Sequence, residues 1–63
     1  MKVELEFWEN IKKDMGYNEN DNNNGYIYGI YYLDDDDIIE VEWYKTEQER
    51  QKVIKQEQLQ VIN

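Results

Sequence analysis

The sequence predicts a small α+β domain: an antiparallel four-stranded sheet in the order β-(α)-β-β-α-β, with one or two short helices on one face. Three observations carry this. Residues 2–7, KVELEF, alternate apolar and charged side chains with the period of a strand. Residues 25–44, GYIYGIYYLDDDDIIEVEWY, form two aromatic and β-branched runs around an aspartate turn. Thr46-Glu47-Gln48-Glu49 has the spacing of a capping box, which opens a helix.

The first strand places Val3, Leu5 and Phe7 on one side and Lys2, Glu4 and Glu6 on the other. One or two helical turns are expected over 8–15, with Gly16 just beyond, where a left-handed backbone is cheap. Residues 17–24, YNENDNNN, are turn-forming and solvated. The hairpin follows. If Leu33 pairs with Ile38, then Tyr32 faces Ile39, Ile30 faces Val41 and Tyr28 faces Trp43. These six line the core, while Glu40 and Glu42 point away from it. The opposite face then carries Ile27, Tyr31, Leu33, Ile38 and Tyr44 beside the two glutamates, which is too apolar for an ordinary solvated face. Gly29, in mid-strand, marks a bulge or a close approach by another backbone. A helix over 47–56 turns Val53 and Ile54 inward, helped by the Arg50 stem. QLQVI alternates again and predicts a last strand over 58–62, with Leu59 and Val61 inward. The element order is that of split-βαβ, ferredoxin-like sheets in miniature.

Sixty-three residues make a single domain, residues 1–63, with a thin margin of stability. The chain has no Cys and no His, which removes disulfides, thiolate or imidazole metal sites and nucleophile–base pairs. Thr46 is the only aliphatic hydroxyl and is accounted for as a helix cap. No catalysis, cofactor or metal is expected. Asp34–Asp37 lacks the spaced ligands, central Gly and terminal Glu of a calcium loop. No apolar run approaches a membrane span and no signal peptide is visible, so a cytoplasmic protein is expected. Oligomerisation is the remaining staple for so small a core, and a homodimer is expected.

Net charge is −8 and unevenly spread: residues 17–44 hold eight acids and no base. Phosphates would be repelled, so direct binding to nucleic acid is not expected; a basic protein surface would be attracted. The candidate partner-binding residues are Tyr31, Tyr44, Asp34, Asp35, Asp36, Asp37, Glu40 and Glu42. A row of carboxylates on a rigid sheet imitates phosphate spacing, and tyrosines suit interfaces. The plainer reading is a solvated turn on a surface whose acidity serves solubility.

With its size, its choice of residues with AT-rich codons, the uninterrupted acid of 17–44 and the hairpin GYIYGIYY…IIEVEWY, the chain resembles small acidic proteins encoded by bacteriophages and mobile elements. That group includes anti-CRISPR and other anti-defence inhibitors. The resemblance implies a non-catalytic, protein-binding inhibitor, often dimeric, that blocks a host nuclease, helicase or sensor. The alternatives are an accessory homodimer without a host target, or a sponge for a small ligand.

Overall fold

The alternating KVELEF forms β1, Lys2–Phe7, and the chain turns directly into a one-turn helix, α1, Trp8–Ile11. The structure, a computed structural model, describes residues 1–62. After α1 the backbone closes in a Schellman motif. The Tyr17 N–H donates to the Lys12 carbonyl, the Gly16 N–H donates to the Lys13 carbonyl, and Gly16 takes φ +80°. A short 3₁₀ turn, Asn23–Gly25, leads to β2, Tyr28–Asp34, and β3, Asp37–Tyr44. Asn23 and Asn24 both sit at positive φ, which asparagine tolerates better than other side chains.

Helix α2, Glu47–Gln56, starts where the capping box places it: Thr46 Oγ1 accepts from the Glu49 N–H at 3.1 Å. The chain ends in β4, Gln60–Val61. The sheet order is β3-β2-β1-β4, with β1/β2 and β2/β3 antiparallel. β4 pairs parallel to β1, so the sheet is mixed rather than wholly antiparallel. The cause is α2, a crossover that returns the chain in the direction of β3 and sets β4 down at the far edge. The expected element order holds, but the strand order is not that of a ferredoxin-like sheet, for a related reason. One turn of helix after β1 cannot span the sheet, so β2 returns as the immediate neighbour of β1.

The core lies between α2 and one sheet face. Val3 and Ile30 are fully buried, Tyr32 nearly so, with Leu5, Tyr44, Val53, Ile54 and Leu59 packed around them. Leu59 is inward as expected, whereas Val61 is exposed, because β4 is a two-residue edge.

Arg50 holds α2 to the sheet. It is buried, and its Nη1 donates to the carbonyls of Glu6 and Gly29 at 3.0 and 3.1 Å. Its other nitrogens grip the Glu47 carboxylate, and its guanidinium lies over the Tyr28 ring, 5.3 Å from the centroid. The apolar stem foreseen from the sequence is present, but the polar head is buried with it.

The hairpin departs from the expected register. Leu33 pairs with Ile38 and Asp34 with Asp37, as the sequence implies. Beyond them Tyr32 pairs with Glu40, Ile30 with Glu42, Gly29 with Trp43 and Tyr28 with Tyr44, leaving Ile39 as a bulge. A one-residue slip turns every later side chain to the other face. Glu40, Glu42 and Tyr44 therefore share the α2 face with Tyr28, Ile30 and Tyr32, while Val41 and Trp43 join Tyr31 on the opposite face. Ile39 and Val41 are exposed rather than core. The bulge lays the Trp43 indole over Gly29, the one strand position with no side chain to displace.

Candidate functional site

The acidic residues singled out from the sequence lie along one rim of the molecule, the tip and outer strand of the hairpin. The tip is a two-residue loop. Asp35 and Asp36 have φ +49° and +72°, the pair of positive values that a type I′ turn requires. That turn matches the twist of the flanking strands, and Asn-Gly is its most favourable occupant. Asp34, Asp35 and Asp36, with Lys2 and Leu33, border an open concavity of about 380 Å³.

Along β3, Asp37, Glu40 and Glu42 are all exposed. Glu40 and Glu42 lie on the helix-covered face yet reach water, because β3 is the edge strand. With Met1, Tyr32, Glu57 and Leu59 they border a second open concavity, of about 330 Å³. Glu57 was not apparent as part of this acidic group. It stands 15 residues beyond Glu42 in sequence and arrives only because α2 runs back along the sheet.

The two tyrosines separate. Tyr44 lies beside Glu42, and its hydroxyl donates to Glu42 Oε2 at 2.6 Å. Tyr31 is on the other face, edge-on to Trp43 with centroids 6.2 Å apart. The single aromatic-acidic face expected from the sequence is thus two surfaces: an acidic one with Tyr44, and an aromatic one with Tyr31. The aromatic surface continues through Trp43 to Trp8, perpendicular at 5.3 Å, and from Trp8 to Tyr17 at 5.1 Å. Trp8 is buried and donates from Nε1 to the Asp21 carbonyl at 2.9 Å, tying the Asn-rich loop to this side of the sheet. Two tryptophans 35 positions apart carry no periodic signal, so the sequence did not pair them.

Burial and negative neighbours mark the tyrosines themselves. Burial, then the hydrogen bond to Glu42 and its charge, push the Tyr44 hydroxyl well above the ordinary 10.0. Tyr31 is raised by burial and by Glu6. Tyr32 is raised by burial and then by Glu42, against a lowering contribution from Tyr44. A raised folded value favours the neutral phenol. Its contribution to stability is complete below pH 10.0 and is lost as pH climbs from there through the folded values. In an alkaline titration followed by tyrosinate absorbance, Tyr44 is expected to ionise in the last component, and Tyr44→Phe to remove it. Survival of that component in the variant would refute the assignment.

Among the described residues no group of three or more carboxylates converges closely enough to hold a metal ion, Asp34–Asp37 included. Among the same residues no helix is long and apolar enough to cross a membrane. Comparison with protein-family models, curated proteins and solved structures finds no match to this chain.

Proposed function

We propose that this chain is a non-catalytic binding protein that seats its acidic hairpin rim on a basic surface of a partner protein. In the fuller form of this reading it is a phage-encoded inhibitor of the anti-defence kind, acting in the host cytoplasm on a protein that itself binds nucleic acid. The observation that carries the reading is the charge state of the rim. Ion pairs among the described residues are Lys12–Glu9, Lys13–Glu19 and Arg50–Glu47, all away from Asp34–Asp37, Glu40 and Glu42. A row of carboxylates free of direct ion pairs among the described residues, carried on a fixed sheet, accelerates encounter with a basic surface and selects against acidic ones.

The turn adds support. Asp35 and Asp36 occupy left-handed positions that cost an ordinary L-residue about 1–2 kcal/mol each, and Asp only somewhat less. Four adjacent carboxylates add mutual repulsion. A turn selected for folding alone would hold Asn-Gly here. The double variant Asp35→Asn, Asp36→Gly is therefore expected to gain about 1 kcal/mol, or about 4–8 °C in Tm. The same variant is expected to lose host protein from affinity capture at low salt. A gain in Tm with unchanged capture would mean that Asp35 and Asp36 hold no partner.

The second reading is an accessory homodimer without a host target, favoured by the exposed Ile38, Ile39 and Val41. Concentration-dependent mass in sedimentation would select it.

A further inference from the structure

β3 is the longer of two free edges of the sheet. At the other edge β4 has two residues and pairs only with Lys2 and Val3, which leaves the four residues 4–7 of β1 without an outer partner strand, whereas β3 has eight. An edge strand turns half of its N–H and C=O groups outward without partners. Natural edges are usually blunted by charged side chains, lysine above all, by proline or by a bulge. β3 has neither lysine nor proline, its bulge at Ile39 sits near the tip, and its charges, Asp37, Glu40 and Glu42, are all acidic, so they bar an acidic strand and not a basic one. From Glu40 to Tyr44 the pairing with β2 is regular. That leaves five residues of regularly paired, open edge.

Side chains beside this edge alternate in character. Glu40 and Glu42 project on the α2 face, and the exposed Val41 projects on the other, next to the half-buried Trp43. Residues directly opposite in adjacent strands share a face. A strand added outside β3 would thus set one alternate set of its side chains against two carboxylates and the other set against Val41 and Trp43. We infer that β3 receives an extended segment of the partner by strand addition, a segment in which lysine or arginine alternates with β-branched residues. The inference rests on the acidic-rim reading above and specifies how the partner is held: the backbone ladder supplies affinity, and Glu40 and Glu42 supply selection. Charge argues against a second copy as the occupant. Two β3 strands paired edge to edge would bring the Glu40 and Glu42 carboxylates of both copies together on one face, and like charges directly opposite destabilise a pair.

The test uses the unmodified protein and three end-blocked heptapeptides. One alternates Lys and Val, one alternates Lys and Gly at equal charge, and the third is the Lys–Val peptide with alternate backbone nitrogens methylated on its pairing edge. The Lys–Val peptide is expected to bind and to slow hydrogen exchange at outward-facing β3 amides. The Lys–Gly and methylated peptides are expected to bind about tenfold more weakly or less. Glu40→Gln with Glu42→Gln, an exposed pair whose loss spares the core, is expected to weaken the Lys–Val peptide most at low salt. Equal binding of all three peptides without β3 protection would overturn strand addition and leave the acidic-rim reading standing. Absence of binding by any of them would overturn both. Protection of β3 in the free protein that rises with its concentration would make a second copy the occupant and overturn the assignment to a basic strand.

Discussion

Arg50→Ala is expected to cost about 2–4 kcal/mol, the largest single loss available outside the apolar core. A domain of this size holds roughly 3–9 kcal/mol in total, so the variant should be partly unfolded at room temperature. The magnitude follows from what the guanidinium joins. It donates to the carbonyls of Glu6 in β1 and Gly29 in β2, to both oxygens of Glu47 in α2, and covers the Tyr28 ring. Its removal leaves carbonyls short of a donor beneath the helix and opens a gap where the stem lay. Arg50→Lys should recover less than half of the loss, because a single ammonium cannot hold the Glu47 carboxylate by two bonds and reach the carbonyls as well. Arg50→Met separates the stem from the head. Wild-type urea midpoints for Met would show that burial of the stem alone matters. Acid dependence gives an independent readout. Burial alone would raise the Glu47 carboxyl, but hydrogen bonds from Arg50 and Gln51 and the Arg50 charge prevail and hold it below its ordinary 4.5. The stability it contributes is complete above that value and disappears as pH falls through the lower folded value. That part of the acid sensitivity should shrink in Arg50→Ala, where only the Gln51 hydrogen bond still favours the Glu47 carboxylate.

Arg50 also illustrates what can be read from the chain alone. Its helix was legible at about its observed bounds, because the Thr46 cap and the exhaustion of apolar periodicity are local signals. β1 was legible through strict alternation, and Gly16 through its place after a short helix. The role of the Arg50 head was not legible, since its acceptors are backbone atoms 21 and 44 positions away. The hairpin failed in a different way. Local pattern favoured continuous pairing, which collects Ile39, Val41 and Trp43 on one face with both glutamates opposite. Two non-local facts overrode it. Gly29 offers the only flat bed for an indole, and an edge strand lets carboxylates on the core side escape to water. The acidic rim itself survived the slip, because Asp34–Asp37 precede the bulge and Glu40 and Glu42 move together. What was lost was the link between the acids and Tyr31.

The bulge yields the second large effect, a substitution expected to change sign with its background. A Cβ at Gly29 would lie 2.6 Å from the nearest Trp43 ring carbon, with two more at 2.9 Å. The ring cannot simply swing aside. Trp8 meets it edge-on at 5.3 Å and Tyr31 at 6.2 Å, and Trp8 is itself buried and anchored to Asp21. Gly29→Ala should therefore cost about 1–3 kcal/mol through overpacking. Glycine is ordinarily the weaker residue in a strand, by about 0.5–1 kcal/mol against alanine. In a Trp43→Val background the bed is vacant, and Gly29→Ala should be neutral or stabilising. The coupling between the two sites, read from urea midpoints of the four proteins, is expected at about 1–3 kcal/mol. A stabilising Gly29→Ala in the wild-type background would show that Trp43 does not rest on Gly29. The slipped register, and with it the placement of Glu40 and Glu42 on the α2 face, would then have to be given up. The same four proteins also probe the acidic rim. If the indole only sets the register, Glu40 and Glu42 should keep their exposure in Trp43→Val while Tyr31 gains it.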